Sequence, residues 1–119
     1  MPVVHSFVHA GKDKITSLTM TLSRGKFMIT MSDKTDKIRI MLDPDEIAGL
    51  SDAIKARSKW GAFHRFEREG QVSETKIQFN RAFFSLESSG KKIAIKLTEN
   101  ELSAFSRVLD LVFERLVFE

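Results

Sequence analysis

The chain has 119 residues, of which 42% are hydrophobic and 29% are charged, and its net charge is +3. This length and composition are typical of one globular domain and exclude both a disordered chain and a membrane-spanning one. The absence of cysteine excludes disulfides, thiolate nucleophiles and cysteine-based metal sites. The opening residues MPVVHSFVHAGK lack the pattern of a secretory signal, so we expect a cytoplasmic protein with no membrane partner.

The first half of the chain reads as four strands followed by a helix. The segments VVHSFVH, TMTL, KFMITM and KIRIML alternate or run apolar over strand lengths. Next, DPDE predicts a helix start, with Asp43 as N-cap, Pro44 at the first helical position and Glu46 three residues after the cap. The apolar face of this helix is predicted to consist of Ile47, Leu50 and Ile54.

The second half repeats the pattern. WGAFHRFE, TKIQF, AFFSL and KIAIKL predict four strands, and TENE offers Thr98 and Glu101 as the cap and its reciprocal partner. The helix that follows exceeds its counterpart by about two turns. Its predicted apolar stripe consists of Leu102, Phe105, Val108, Leu109, Val112, Phe113 and Leu116.

Three further apolar residues, Leu111, Val117 and Phe118, fall beside this stripe. Surplus apolar surface favours a partner, and we expect a homo-oligomer, most simply a homodimer, formed through this helix or through sheet edges. The alternative is that Val117 and Phe118 fold back onto their own domain.

The two halves are related by an ungapped shift of 55 residues, which aligns KIRIMLDPDEI with KIAIKLTENEL. We therefore expect one α+β domain over residues 1–119, built from two tandem β-β-β-β-α repeats at 1–57 and 58–119. Each repeat is expected to have one sheet face covered by its helix and one face open. The same shift pairs Gly25 with Asn80, and both residue types tolerate a left-handed turn, so equivalent hairpins are predicted there.

Charge is distributed unevenly between helices and strands. Segments 43–54 and 98–119 carry −4 and −3, so the remaining strands and loops carry +10. Strand alternation then predicts an open sheet face that combines cations with Met28, Met41 and Phe83. The cations are Lys26, Lys37, Arg39, Lys76, Arg81, Lys92 and Lys96.

Other candidate sites are fewer. The segment KWGAFHRFE contains the densest aromatic cluster, and alternation places Trp60 on one face and Phe63 with Arg65 on the other. One set could stack bases, whereas the alternative is that the cluster fills the core at the junction of the repeats.

His5 and His9 lie about 13 Å apart in a strand, at ~3.3 Å per residue, which is too far for one metal ion. No catalytic or phosphate-loop motif is present, so we expect neither an enzyme nor a cofactor.

The segments GKFMITMSDKTDKIRIMLDPDEIAGL and RAFFSLESSGKKIAIKLTENELSAF, each two strands and a capped helix, resemble the Whirly-like superfamily of single-stranded nucleic-acid-binding domains. That superfamily also takes in transcriptional positive cofactor four and the purine-rich-element-binding repeat proteins. The resemblance implies binding of single-stranded DNA or RNA by sheet residues, often by a homo-oligomer. The chain departs from the animal purine-rich-element proteins in its sparse strand aromatics and its lack of tyrosine.

Surfaces that bind single strands combine cations, which contact phosphates, with aromatic side chains, which stack on bases. The sequence therefore favours a non-enzymatic single-stranded-DNA-binding protein of low sequence specificity. RNA binding by the same fold stays open, as does a protein-interaction or scaffold module that assembles through the C-terminal helix. The residues predicted to contact nucleic acid are Lys26, Lys37, Arg39, Trp60, Phe63, Arg65, Lys76, Arg81, Phe83, Lys92 and Lys96.

Overall fold

A computed structural model describes residues 3–118, with side chains from Val4 onward. Sheet 1 is an antiparallel meander of β1 (Val3–Ala10), β2 (Ile15–Ser23), β3 (Lys26–Ser32) and β4 (Lys37–Leu42), and helix α1 (Pro44–Ala56) follows it. Sheet 2 is a second meander of β5 (Lys59–Arg68), β6 (Gln71–Asn80), β7 (Phe83–Ser88) and β8 (Lys91–Lys96), followed by α2 (Glu99–Phe118). The predicted α+β fold of two β-β-β-β-α repeats is confirmed.

The strands form where apolar residues alternate with polar ones. In β4 the side chains of Ile38, Ile40 and Leu42 are buried, while the intervening Lys37 and Arg39 are exposed. The same period of two runs through β3 and β8, since successive side chains of a strand point to opposite faces of the sheet. Each sheet therefore has one core-facing side and one open side.

Both helices begin at the predicted capping boxes. The amide of Glu46 donates to the side chain of Asp43 at 2.8 Å, and the Asp43 amide donates back to the Glu46 carboxylate at 3.1 Å. Thr98 and Glu101 repeat this exchange at the start of α2, at 3.2 and 2.9 Å. These bonds satisfy backbone donors that the first turn of a helix leaves without partners.

The hairpin turns correct one prediction. Gly25 adopts φ +74 between β2 and β3, but between β6 and β7 the left-handed residue is Arg81, with φ +60, and Asn80 lies at the end of β6. The reason is a different strand register, because Ser6 pairs with Thr19 whereas its counterpart Gly61 pairs with Gln78. The second strands of the two repeats, β2 and β6, are therefore related by a shift of 59 residues. The first, third and fourth strands keep the shift of 55.

The two helices pack against each other and contact both sheets. Helix α1 lies against β4 of sheet 1 and against β5 and β6 of sheet 2. The ring of Phe105 in α2 lies 5.8 Å from Phe7 of sheet 1 and 5.5 Å from Phe84 of sheet 2. The expectation that the helix of each repeat covers a face of its own sheet is therefore incomplete, since one hydrophobic cluster joins both repeats.

Two histidine-carboxylate contacts cross between the repeats. Nε2 of His9 in β1 lies 2.9 Å from both carboxylate oxygens of Glu101 in α2. Nε2 of His64 in β5 lies 2.6 Å from the carboxylate of Glu46 in α1. Each histidine thus holds the capping carboxylate of the other repeat, and the two contacts are related by the internal repeat.

Helix α2 has 20 residues and α1 has 13, which agrees with the predicted difference of about two turns. The extra turns leave Leu111, Val117 and Phe118 exposed by 54%, 45% and 75%. Val117 and Phe118 therefore do not fold back onto their own domain. Neither helix within residues 3–118 combines the length and apolar character that a membrane crossing requires.

Candidate nucleic-acid interface

The open face of sheet 1 is rich in hydroxyl groups. One row across its four strands consists of Ser6, Thr19, Thr30 and Arg39, in direct register. Within these strands, Ser6 Oγ lies 3.1 Å from Thr19 Oγ1, and Ser17 Oγ lies 2.6 Å from Ser32 Oγ. The cations of this face are Lys26, Lys37 and Arg39, the last two on the edge strand β4.

The open face of sheet 2 is uneven and carries two exposed phenylalanines. Phe63 and Phe83 are exposed by 57% and 54%. Phe63 lies in the row Phe63, Lys76, Glu87 and Lys92, and Phe83 lies in the row Lys59, Asn80, Phe83 and Lys96. Between these rows runs a third, which consists of Gly61, Gln78, Ser85 and Ala94. Gly61, Ser85 and Ala94 of this row have small side chains, and beside them lies an open trough of about 650 Å³, which we call the sheet-2 trough.

The structure therefore divides the predicted site between two faces. Lys76, Lys92 and Lys96 lie with Phe63 and Phe83 on the open face of sheet 2, and Arg65 lies on the same side of β5. Nζ of Lys96 lies 5.6 Å from the centroid of the Phe83 ring, so that this cation and aromatic group form one unit. Arg81 is exposed, but it lies in the β6–β7 turn and not on a strand.

Trp60 is not on either open face. It is half-buried against the core, and a Cβ added at Gly49 of α1 would lie 2.7 Å from its indole Nε1. The alternation that places Trp60 opposite Phe63 is confirmed, and Phe63 is the residue of this pair on the open face. Trp60 instead fills the space between β5 and α1, where a glycine on the helix makes room for its ring.

Sequence reasoning missed three features of the sheet-2 face. Lys59 extends the Phe83 row at the edge strand β5, and Gln78 occupies the centre of the sheet-2 trough. Glu87 is exposed between Lys76 and Lys92, where its charge offsets part of theirs. The alternating pattern indicates that these side chains point outward, but only the strand register shows which of them are neighbours.

The edge of sheet 2 meets the hairpin loops of sheet 1. Lys92 and Ala94 of β8 line a second hollow of about 350 Å³ with residues of the β1–β2 and β3–β4 loops of sheet 1. These loops contribute Asp13, Lys14, Asp33 and Lys34 to the hollow. Nζ of Lys91 lies 3.0 Å from a carboxylate oxygen of Asp36 and links the same regions. The β8 edge of sheet 2 therefore meets both cations and carboxylates of the sheet-1 loops.

The histidines take part in packing. The His5 ring contacts Phe7 with a centroid separation of 4.8 Å, and His9 binds Glu101. Within residues 3–118, no three histidine, aspartate or glutamate side chains are grouped so that they could hold a metal ion.

Two meander sheets contact a pair of helices, and each sheet has an open face. Among solved structures, the chain is similar to the plant transcriptional regulator PBF-2, with a TM-score of 0.67 over 98% of this chain and 84% of that chain. Sequence identity is 12%, so the likeness concerns the fold. No family model matches the sequence, and no curated protein matches it at a significant level.

Proposed function

We propose that the protein is a cytoplasmic, non-enzymatic, single-stranded-DNA-binding protein of low sequence specificity. The observation that carries this proposal is the open face of sheet 2, where two exposed phenylalanines stand among cations. A fold shared with a transcriptional regulator supports nucleic acid as the partner.

The chemistry of a single strand fits this face. Its phosphates attract Lys92 and Lys96, and its unstacked bases can stack on Phe63 and Phe83. Each stacked base contributes about 1–3 kcal/mol, whereas duplex bases are already stacked and hidden. We therefore expect preference for single strands, with Lys37 and Arg39 of sheet 1 adding phosphate contacts.

The test compares fluorescence anisotropy of labelled single-stranded DNA, duplex DNA and single-stranded RNA of equal length over a range of salt concentrations. Changing Lys37, Arg39, Lys92 and Lys96 together to alanine should weaken single-strand binding strongly. The dependence of log K on log salt should become shallower by up to about 2.8, at ~0.7 per phosphate contact.

A charge-conserving variant provides the matched control. Lys37→Arg, Arg39→Lys, Lys92→Arg and Lys96→Arg together should keep the wild-type salt slope, because the number of protein cations that displace counterions from phosphates is unchanged. If the wild type binds none of the three nucleic acids at low salt, the proposal is wrong. Tighter binding of RNA than DNA would instead assign the face to RNA, which a contact to the 2′-hydroxyl can distinguish.

A homo-oligomer is part of the proposal, because Leu111, Val117 and Phe118 expose apolar surface on α2. The same surface favours a second candidate function, a protein-interaction module in which the open sheet faces are merely solvated. Under that alternative, the quadruple alanine variant would behave as the wild type in every binding assay.

A further inference from the structure

We propose that the sheet-2 trough binds one unstacked nucleobase and that Gln78 makes the site selective for adenine. This inference rests on the proposed function, since it names the part of the single strand that this face reads. The inference goes further because it adds a preference for one base. The rest of the surface binds phosphates through cations and stacks on bases without regard to their identity.

The floor of the trough is shaped by three small residues in direct register. Gly61, Ser85 and Ala94 lie on three different strands beside Gln78, and Ser85 is only 9% exposed beneath its neighbours. A Cβ at Gly61 would lie 3.1 Å from the Ile77 carbonyl oxygen, so close strand approach favours glycine there. The volume of about 650 Å³ is in the range of small-ligand sites.

The walls suit a base joined to its phosphates. The Phe83 and Phe63 rows lie about 13 Å apart along β5, at ~3.3 Å per residue. Phe83 lines the trough between them, so a planar base that enters the trough can stack on this ring. Lys59 and Lys96 flank one wall, and Lys76 and Lys92 flank the other. A strand that crosses the trough therefore meets cations on both sides of the inserted base.

The Gln78 amide supplies the recognition. Its side chain is exposed on the central strand β6, and no other described residue forms a hydrogen bond with it. A glutamine amide offers both a donor and an acceptor, and it pairs with adenine by donating to N7 and accepting from the N6 amino group. Gln78 lines the trough, so its amide, which bonds to no other described residue, is available to a base that enters it.

The matching row of sheet 1 shows that the trough belongs to the second repeat alone. The counterparts of Gly61, Gln78, Ser85 and Ala94 are Ser6, Thr19, Thr30 and Arg39, which occupy the same four strand positions. Ser6, Thr30 and Arg39 are larger than the residues they correspond to. Thr19, the counterpart of Gln78, has no amide. Thr19 therefore provides a structurally equivalent control position for Gln78.

The experiment measures anisotropy with two labelled oligonucleotides, a short oligo-dT and the same oligo-dT with one central dA. We expect wild-type protein to bind the second about fivefold more tightly, the lower end of the range for a bidentate glutamine-adenine pair. Gln78→Met keeps side-chain length and charge and should abolish this preference. Ala94→Leu fills the trough and should weaken both oligonucleotides about tenfold, whereas Thr19→Leu should leave both affinities and the preference unchanged.

The outcomes separate the two proposals. If the wild type binds neither oligonucleotide, the proposed function is wrong and the trough assignment is overturned with it. If the wild type binds both but without preference for dA, or keeps that preference in Gln78→Met, only the trough assignment is overturned. Circular dichroism checks the fold of each variant, and Ala94→Val, which suits a strand, replaces Ala94→Leu if the leucine variant does not fold.

Discussion

At the residue scale, the two histidine-carboxylate contacts link the repeats at the points where the helices begin. Glu101 accepts from the Thr98 amide and contacts His9, and these bonds outweigh its burial, which alone would raise its pKa. The pKa of Glu101 is therefore lowered from its ordinary value of 4.5. Because the folded state favours the ionised form, this stabilisation is complete above the pKa of the unfolded chain and is lost as pH falls through the lowered folded pKa.

We expect Glu101→Gln, which can still accept the Thr98 amide bond, to reduce the free energy of unfolding by about 1 kcal/mol near neutral pH. As pH falls from about 4.5 through the lowered folded pKa, the difference from wild type should shrink, since the unfolded chain binds the proton before the folded carboxylate does. Urea unfolding monitored by circular dichroism across this pH range measures both effects.

A double-mutant cycle with His9→Ala assigns this loss to the contact with His9. The coupling energy should be about 0.5–1.5 kcal/mol, and the cycle between Glu101 and His64 should be additive, because His64 contacts Glu46 and not Glu101. An additive result for His9 and Glu101 would contradict the assignment.

At the element scale, hydrogen bonds join α1 to α2 at Asp110, and apolar side chains in the C-terminal turns of α2 stay exposed. Ser51 Oγ donates to Asp110 at 2.6 Å, and Lys55 Nζ donates to the other carboxylate oxygen of Asp110 at 2.6 Å. Burial opposes ionisation of Asp110, but these two bonds and the Lys55 charge hold its pKa below its ordinary value of 3.8. Further along α2, Leu111 and Phe118 lie seven residues apart and share one helix face.

We expect this face to form the homodimer. Leu111→Glu places a charge within this face and should shift the protein to monomer in sedimentation-velocity experiments, because an unpaired charge at an apolar interface is strongly unfavourable. Ser103→Glu, an exposed position on the same helix with the same change in charge, should remain dimeric. A wild type that sediments as a monomer at all concentrations would argue against this interface.

At the scale of the whole molecule, the two repeats share one core. Phe105 of α2 packs between the sheets, and α1 contacts strands of both. A chain of fewer than about 65 residues buries a smaller fraction of its surface and is marginally stable alone. Separating the repeats would therefore expose apolar surface that each contributes to the other.

We expect residues 1–57 and 58–119, produced separately, to show no cooperative thermal unfolding by circular dichroism. Mixed in equal amounts, they should recover a transition, because each helix again meets both sheets. A half that unfolds cooperatively by itself would show that the repeats are separate domains, contrary to the expectation of one domain over residues 1–119.

Much of the fold could be predicted because its signals are local. Alternation in KIRIML and KIAIKL predicts both strands and their open faces, and the capping boxes at Asp43 and Thr98 predict both helix starts. These features depend on residues at most a few positions apart, where periodicity and hydrogen bonding fix the geometry. The constant shift of 55 residues fails only at the second strand, where hairpins of different length change the register.

Local patterns in the sequence predict the repeat, the strands and helices, the helix caps and the outward direction of the strand cations. The tertiary structure decided the rest: Trp60 packs on α1, His9 and His64 reach the opposite helices, and Gln78 lies over a floor of small residues. These arrangements depend on strand register and on the packing of helices between sheets, which bring together residues far apart in the chain. A local pattern gives the face of a strand, whereas the neighbours on that face follow from the pairing of the strands.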